Sequence, residues 1–384
     1  MTDKPIYLDY NATTPISPAV REAMFPYFGE HFGNPSSGYV YGRRAKEAVA
    51  KARLQVALLI GATAEEIVFT SCGTESDNQA IIGAVMANRD KGRHIITSHI
   101  EHPAVLNTCR YLEEKLDFEV TYLPVDGYGL VDPEEVNRSI TSDTTLITIM
   151  HANNEVGTVE PIREIGQIAR ERGILFHTDA AQSCGKIKVD VKELNVDLLA
   201  MTGHKLYAPK GIGALYIREG IKIDSFIHGA GQESGWRAGT ENVPYMVGLG
   251  AACEIARNSL VVYQKDTKVL RNRLYNVIEA GLGKADVHLN GHPNRRLPNT
   301  LNISIRGMVG DELLGQIPEL AASTGAACHT DSTEPSNVLL EMGLSRELAL
   351  GALRLTLGRG STAEEIETAG RLIVEKSLDS NRYR

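Results

Sequence analysis

Short apolar runs rich in β-branched residues punctuate the first two thirds of the chain, at Ile67–Thr70, His94–Thr97, Val120–Leu123, Thr145–Ile149, Ile174–His177 and Leu198–Met201. Between them lie stretches with helical spacing, at 42–60, 74–90, 103–116 and 162–172. Strands that are apolar throughout, rather than alternating, are buried on both faces, and their alternation with helices makes the sheet mostly parallel. Gly213–Ile217 adds a strand after the glycine-rich turn Lys210–Gly213. Beyond residue 255 the pattern changes to a charged helical stretch at 259–280, a turn-rich segment at Gly291–Asn294 and a strand at Asn299–Ile305. The expectation is an α/β fold of two parts. A large domain spans 14–258, and a smaller α+β domain combines 1–13 with 259–384.

Composition narrows the class. The 384 residues are 42% hydrophobic and 23% charged, which fits a globular chain and excludes a disordered or collagenous one. A net charge of −8 offers no basic footprint for nucleic acid or an anionic membrane. The Met1–Pro5 start lacks the pattern of a signal peptide, and no apolar run reaches the roughly 18 residues of a membrane span, so a cytoplasmic location is expected. Five scattered cysteines, at 72, 109, 184, 253 and 328, form no C-x-x-C pair, which argues against a disulfide framework or a metal site.

Candidate chemistry gathers where strands end. Leu198–Met201 runs into Thr202-Gly203-His204-Lys205, at the carboxyl edge where open α/β sheets bind ligands. A lysine enclosed there has a lowered pKa and can form a Schiff base; alone, Lys205 would read as a solvated loop residue. Asp179, at the end of another strand, could keep a pyridine nitrogen protonated, with Gln182 on the ring's phenolic oxygen, or could simply cap a helix. Ile67–Thr70 leads through Ser71-Cys72-Gly73-Thr74 into a helix, whose free N–H groups and dipole suit a phosphate, with the Thr74 and Thr202 hydroxyls as further donors. His102 could stack on a cofactor ring and move protons, or be a hydrogen-bonded histidine at a helix start. Of the cysteines, Cys328 lies in a small, polar stretch that presents a thiol. Cys109, Cys184 and Cys253 read as core residues, and Cys72 as packing beside the phosphate turn.

Together these residues resemble the cysteine desulfurases of the NifS/IscS type, in the aminotransferase class V family. The likeness runs from Tyr7–Thr14 and Gly33–Ser37 through Thr74–Asn78, Glu101-His102, His151–Gly157, His177–Gln182 and Gly203–Tyr207 to Gly231–Glu233, Arg237–Asn242, Gly325–Cys328 and Arg354–Arg359. The resemblance implies the fold type I of pyridoxal-phosphate enzymes, like aspartate aminotransferase. It implies Lys205 as the Schiff-base residue and His102 as the ring-stacking acid/base. Asp179 and Gln182 would hold the ring, and Gly73, Thr74, Thr202 and His204 the phosphate, with Thr240 supplied across a homodimer interface. Asn154 and Arg354 would bind the substrate, and Cys328 would receive sulfur from L-cysteine as a persulfide. No resident metal is implied, only a passing iron–sulfur contact through Cys328.

The resemblance also implies a sulfur-acceptor protein, such as an iron–sulfur scaffold or a tRNA- or DNA-thiolation system. Two departures stand out: a threonine at 202, where serine is common, and the sequence Cys328-His329-Thr330-Asp331, a form also found in selenocysteine lyases. Selenocysteine lyase, aminotransferase and non-catalytic scaffold are the rival readings.

Overall fold

A computed structural model describes residues 4–325 and 334–382. After the short strand β1 (Ile6–Tyr7) come β2 (Ile67–Thr70), β3 (His94–Ser98), β4 (Glu119–Leu123), β5 (Thr144–Thr148), β6 (Leu175–Asp179), β7 (Leu198–Thr202) and β8 (Gly213–Ile217). Strands β2 to β8 form one seven-stranded sheet in the order β2-β8-β7-β6-β5-β3-β4. All neighbours are parallel except β8, which runs antiparallel to both β2 and β7.

The connections are the helices α1 (Pro18–Met24), α2 (Val40–Ile60), α3 (Gly73–Ala87), α4 (Pro103–Leu116), α5 (Pro133–Ser139), α6 (Ile162–Arg172) and α7 (Val191–Leu194). Period-two alternation sends Phe69, Ile96, Ile147, Phe176, Leu199 and Tyr216 into one core. Their neighbours Val68, Ile95, Leu146, Leu198 and Leu215 enter a second core on the other face. Two covered faces are why the strands read as unbroken apolar runs.

The helix α8 (Val243–Leu282) is continuous over 40 residues, about 60 Å at 1.5 Å per residue. It runs straight through residue 258. Its residues up to Ala256 join the first core, whereas Leu274 and Ile278 join another, built on β9 (Val287–Leu289), β10 (Thr300–Ile305) and β12 (Ala352–Thr356). We propose the division near 258 as a change of packing partner within one helix. Leu8 is buried in this further core, and β1 pairs in parallel with β11 (Leu320–Ala321), so the N-terminal strand packs with the C-terminal unit. The short helices α9 (Gly310–Gly315), α10 (Asn337–Glu341) and α11 (Arg346–Leu350) and the long α12 (Ala363–Arg382) complete that unit. No helix among the described residues is long and apolar enough to cross a membrane.

Phe176 lies fully buried in a central strand. Phe176→Ala is expected to destabilise the protein by about 3–5 kcal/mol, because both transfer energy and a cavity are lost. A lowered urea midpoint with an unchanged m-value checks this.

Candidate active site

The carboxyl ends of β3, β5, β6 and β7 converge on one cavity of about 260 Å³. Gly73, Thr74, His102, Asn154, Asp179, Gln182, Thr202, His204, Lys205 and Arg354 all border it. Thr240 does not border its own chain's cavity; it is exposed, in the segment before α8. Cys328 lies outside the described residues.

Each side chain is placed by simple local causes. β6 ends on Asp179, whose Oδ1 accepts from the Ala181 N–H at 2.8 Å, closing the turn that carries Gln182. β7 ends on Thr202, and the 3-10 turn Gly203–Lys205 that follows lifts Lys205 over the sheet edge. α3 begins at Gly73, so the N–H groups of Gly73 and Thr74 have no acceptor within the helix and border the cavity. A Cβ on Gly73 would lie 3.3 Å from the Thr202 Cβ, so glycine permits the close approach of the two strand ends. Cys72, expected to pack beside the phosphate turn, lies at that turn and is half-buried. It is the α3 N-cap, accepting the Glu75 N–H at 3.5 Å, and it borders the cavity. Cys109, Cys184 and Cys253 are buried thiols. Burial pushes Cys184 up to about 12, which makes it unreactive.

Burial sets the protonation states. It lowers the Lys205 amine, with Asp179 pulling the other way, so a reactive neutral amine is within reach. It also lowers His102, again against Asp179. His204, whose Nδ1 lies 3.2 Å from Thr13 Oγ1, is pushed down to about 4 by burial and by its lysine neighbours.

On the opposite side stand groups the sequence reading missed. Asp77, on α3, is buried with Oδ1 unpaired, 3.6 Å from His177 Nε2; burial and Asp179 hold its carboxyl well above the usual range. Glu101 accepts from Ser98 Oγ at 2.7 Å and from the Met150 N–H at 2.9 Å, and burial pushes it up to about 8. Asp9 accepts from Arg354 Nη2 at 3.0 Å, while Arg354 Nε is buried and unpaired. Asp9, Glu101 and Asp77 all sit inside motifs quoted above. Only Glu101, next to His102, carried a local signal; Asp9 and Asp77 meet their partners through the fold.

These residues fit pyridoxal phosphate. The cavity offers a carboxylate for the ring nitrogen, free helix-start N–H groups with hydroxyls for the phosphate, and a desolvated lysine for the aldehyde. Among the described residues no cluster of three or more His, Cys, Asp or Glu could hold a metal ion.

The sequence pattern of the aminotransferase class-V family matches residues 6–368, and the chain belongs to that family. Within it, the chain is 52% identical to the cysteine desulfurase IscS of Methanosarcina thermophila over 375 residues, covering 97% of this chain and 92% of that one. A solved NifS-like protein superposes with a TM-score of 0.90 at 38% identity, covering 97% of this chain and 98% of that one. A structure described as SspA in complex with cysteine matches at 38% identity and a TM-score of 0.79, covering 91% and 98%.

A stability test follows from the buried acids. Burial holds Glu155 at about 7 and Glu101 at about 8, against an ordinary 4.5, so the folded state binds protons that the unfolded chain has released. Their stabilising effect is complete below 4.5 and is lost as pH rises to 7 and 8, at up to about 1.4 kcal/mol per pH unit for each group. Glu155→Gln is expected to flatten the fall in Tm between about pH 4.5 and 7.

Proposed function

We propose that the enzyme is a cysteine desulfurase that uses pyridoxal phosphate, with Lys205 and His102 moving protons and Cys328 receiving sulfur. One observation carries this reading. A desolvated lysine, a histidine, a carboxylate suited to a ring nitrogen and an arginine all border the same cavity.

The cofactor, when bound, supplies an electron sink that lets bonds at the substrate's α- and β-carbons break heterolytically. Arg354, which borders the cavity and is steadied where Asp9 Oδ1 accepts from Nη2 at 3.0 Å, holds the substrate carboxylate. Asn154 is steadied by its backbone oxygen, which accepts from Asn11 Nδ2 at 3.1 Å, and its side chain orients the substrate. The Lys205 amine takes the proton from the substrate α-carbon, and His102 gives protons from Nε2 when its ring is doubly protonated, a state in which Nδ1 releases the Ala104 N–H that it otherwise accepts at 3.1 Å. The Cys328 thiolate attacks the substrate sulfur, which leaves carbon as a sulfane atom. The carbon is then protonated, so L-cysteine and a thiol become L-alanine and a persulfide without any external oxidant. A soft thiolate suits this attack better than an alcohol would. A sulfur-acceptor protein then takes the persulfide sulfur.

A homodimer completes the site in this reading, because Thr240 lies outside its own chain's cavity. The surface around α1 and the start of α2 supports it. Phe25 is 76% exposed and Phe32 70%, with Phe28, Tyr39 and Tyr41 also exposed. Light scattering is expected to give a dimer, and Thr240→Ala is expected to weaken cofactor binding although the residue is remote from its own cavity.

Mass spectrometry after incubation with L-cysteine is expected to show one added sulfur on Cys328, absent in Lys205→Ala. Sulfur carried mainly by Cys72 would refute the assignment, and near-exclusive turnover of selenocysteine would favour the lyase. Arg354→Lys is expected to lower kcat/KM for cysteine by roughly 10- to 100-fold, since a lysine cannot form the bidentate pair.

A further inference from the structure

Lys186 lies four residues beyond Gln182, in the turn that follows β6, and is only 4% exposed. Its Nζ is 2.7 Å from Gln182 Oε1 and 3.0 Å from Asn11 Oδ1. Both acceptors are neutral amides. Among the described residues no carboxylate is recorded acting on it; the charged or titratable groups that interact with it are Lys205, Arg354 and His204. Burial, then Lys205 and Arg354, hold the amine well below its ordinary range. A neutral amine still carries two N–H donors, one for each amide oxygen, so the contacts do not require a charge.

The Asn11 backbone carbonyl can only accept, so the atom of Gln182 that meets it is the nitrogen, and the atom that meets Lys186 is the carbonyl oxygen, to which the lysine donates. Gln182 Nε2 then gives one hydrogen to the Asn11 carbonyl at 3.0 Å and has a second to spare, and Gln182 borders the cavity. Asn11 is locked in the same way: its Oδ1 also accepts from Asn299 Nδ2 at 2.9 Å, and its Nδ2 donates to Thr300 Oγ1 at 2.9 Å. Lys186 itself does not border the cavity.

We propose that Lys186 is a positioning residue, which turns the Gln182 carbonyl away from the cavity so that Gln182 can only donate to the phenolic oxygen of the cofactor. This rests on the reading above, in which Gln182 meets that oxygen. Without Lys186 the buried Gln182 oxygen loses its donor, the amide is held by the Asn11 carbonyl alone, and it turns away from the phenolic oxygen more readily. The phenolate would then be less stabilised, and the proton shared with the neighbouring lysine-bound nitrogen would be held more tightly.

The test titrates the visible absorbance of the cofactor-loaded enzyme against pH in wild type, Lys186→Met, Lys186→Gln, Gln182→Ala and the two double variants. Lys186→Met is expected to raise the apparent pKa of the chromophore by about half a unit to one unit, the range of one neutral hydrogen bond. Affinity of the cofactor-free protein for pyridoxal phosphate should fall by roughly two- to tenfold. Lys186→Gln, which keeps an N–H donor, should recover part of the shift, and neither Lys186 change should add to Gln182→Ala.

A wild-type titration in Lys186→Met would overturn the proposal. So would an equal shift in the methionine and glutamine variants, or a shift that persists on the Gln182→Ala background, since each would mark an action of charge alone. If Lys186→Met fails to fold, Lys186→Gln with and without Gln182→Ala decides the same point. A wild-type titration in Gln182→Ala itself would instead remove the underlying contact between Gln182 and the cofactor, and the proposal with it.

Discussion

The architecture turns on the rule that a buried polar group needs a partner, applied at Asn11. Its N–H donates to Thr356 Oγ1 on β12, and its side-chain amide reaches Thr300, the Asn154 carbonyl, Asn299 and Lys186. Its carbonyl accepts from Gln182. One residue near the start of the chain is thus bound to the large sheet's edge loops and to two strands of the smaller unit. The partners are up to 345 residues apart in sequence. The cavity walls come from both units, and these contacts fix where one wall stands against the other.

The same rule distributes charge. Lys205 and Arg354 oppose a positive charge on Lys186, and the neighbouring lysines oppose one on His204, whereas Asp179 and Glu101 oppose a negative charge on Asp77, and Asp179 opposes one on Glu101. A ligand with anionic groups and a protonated ring nitrogen finds both characters in one small space. Each set also raises the cost of charging its own members, which leaves several of them near neutrality and able to exchange protons. Reactivity here comes mainly from desolvation and only secondarily from individual ion pairs.

Much of the large domain could be read from the chain because both faces of the sheet are buried. β2 and β8 fall on the apolar runs residue for residue, as do α4 and α6 on their helical spacing. The unbroken α8 could not be read in this way. Its first half is small and apolar to suit the first core, and its second is charged on the exposed side, so the change in composition looked like a boundary. The motif residues converge on one cavity, as their strand-end positions implied. The hidden part is what holds them. Asp9 beside Arg354 and Asn11 beside Lys186 are pairs of distant residues, whose meaning appears only when the chain closes on itself. The capping role of Cys72 was not legible, because a thiol serving as a helix cap has no distinctive sequence signal.

The cap at the start of α4 bears on how His102 can behave. Its Nδ1 lone pair is committed to the Ala104 N–H, so a second proton on the ring would set two hydrogens against each other and cost the helix its cap, about 1 kcal/mol. The helix therefore acts as a brake on the imidazolium form and selects one tautomer. The ring is left with a single working face. That tautomer already carries its proton on Nε2, so a further proton can be stored only on Nδ1, at the cost of the cap, and the route through the ring to the protein behind it is closed.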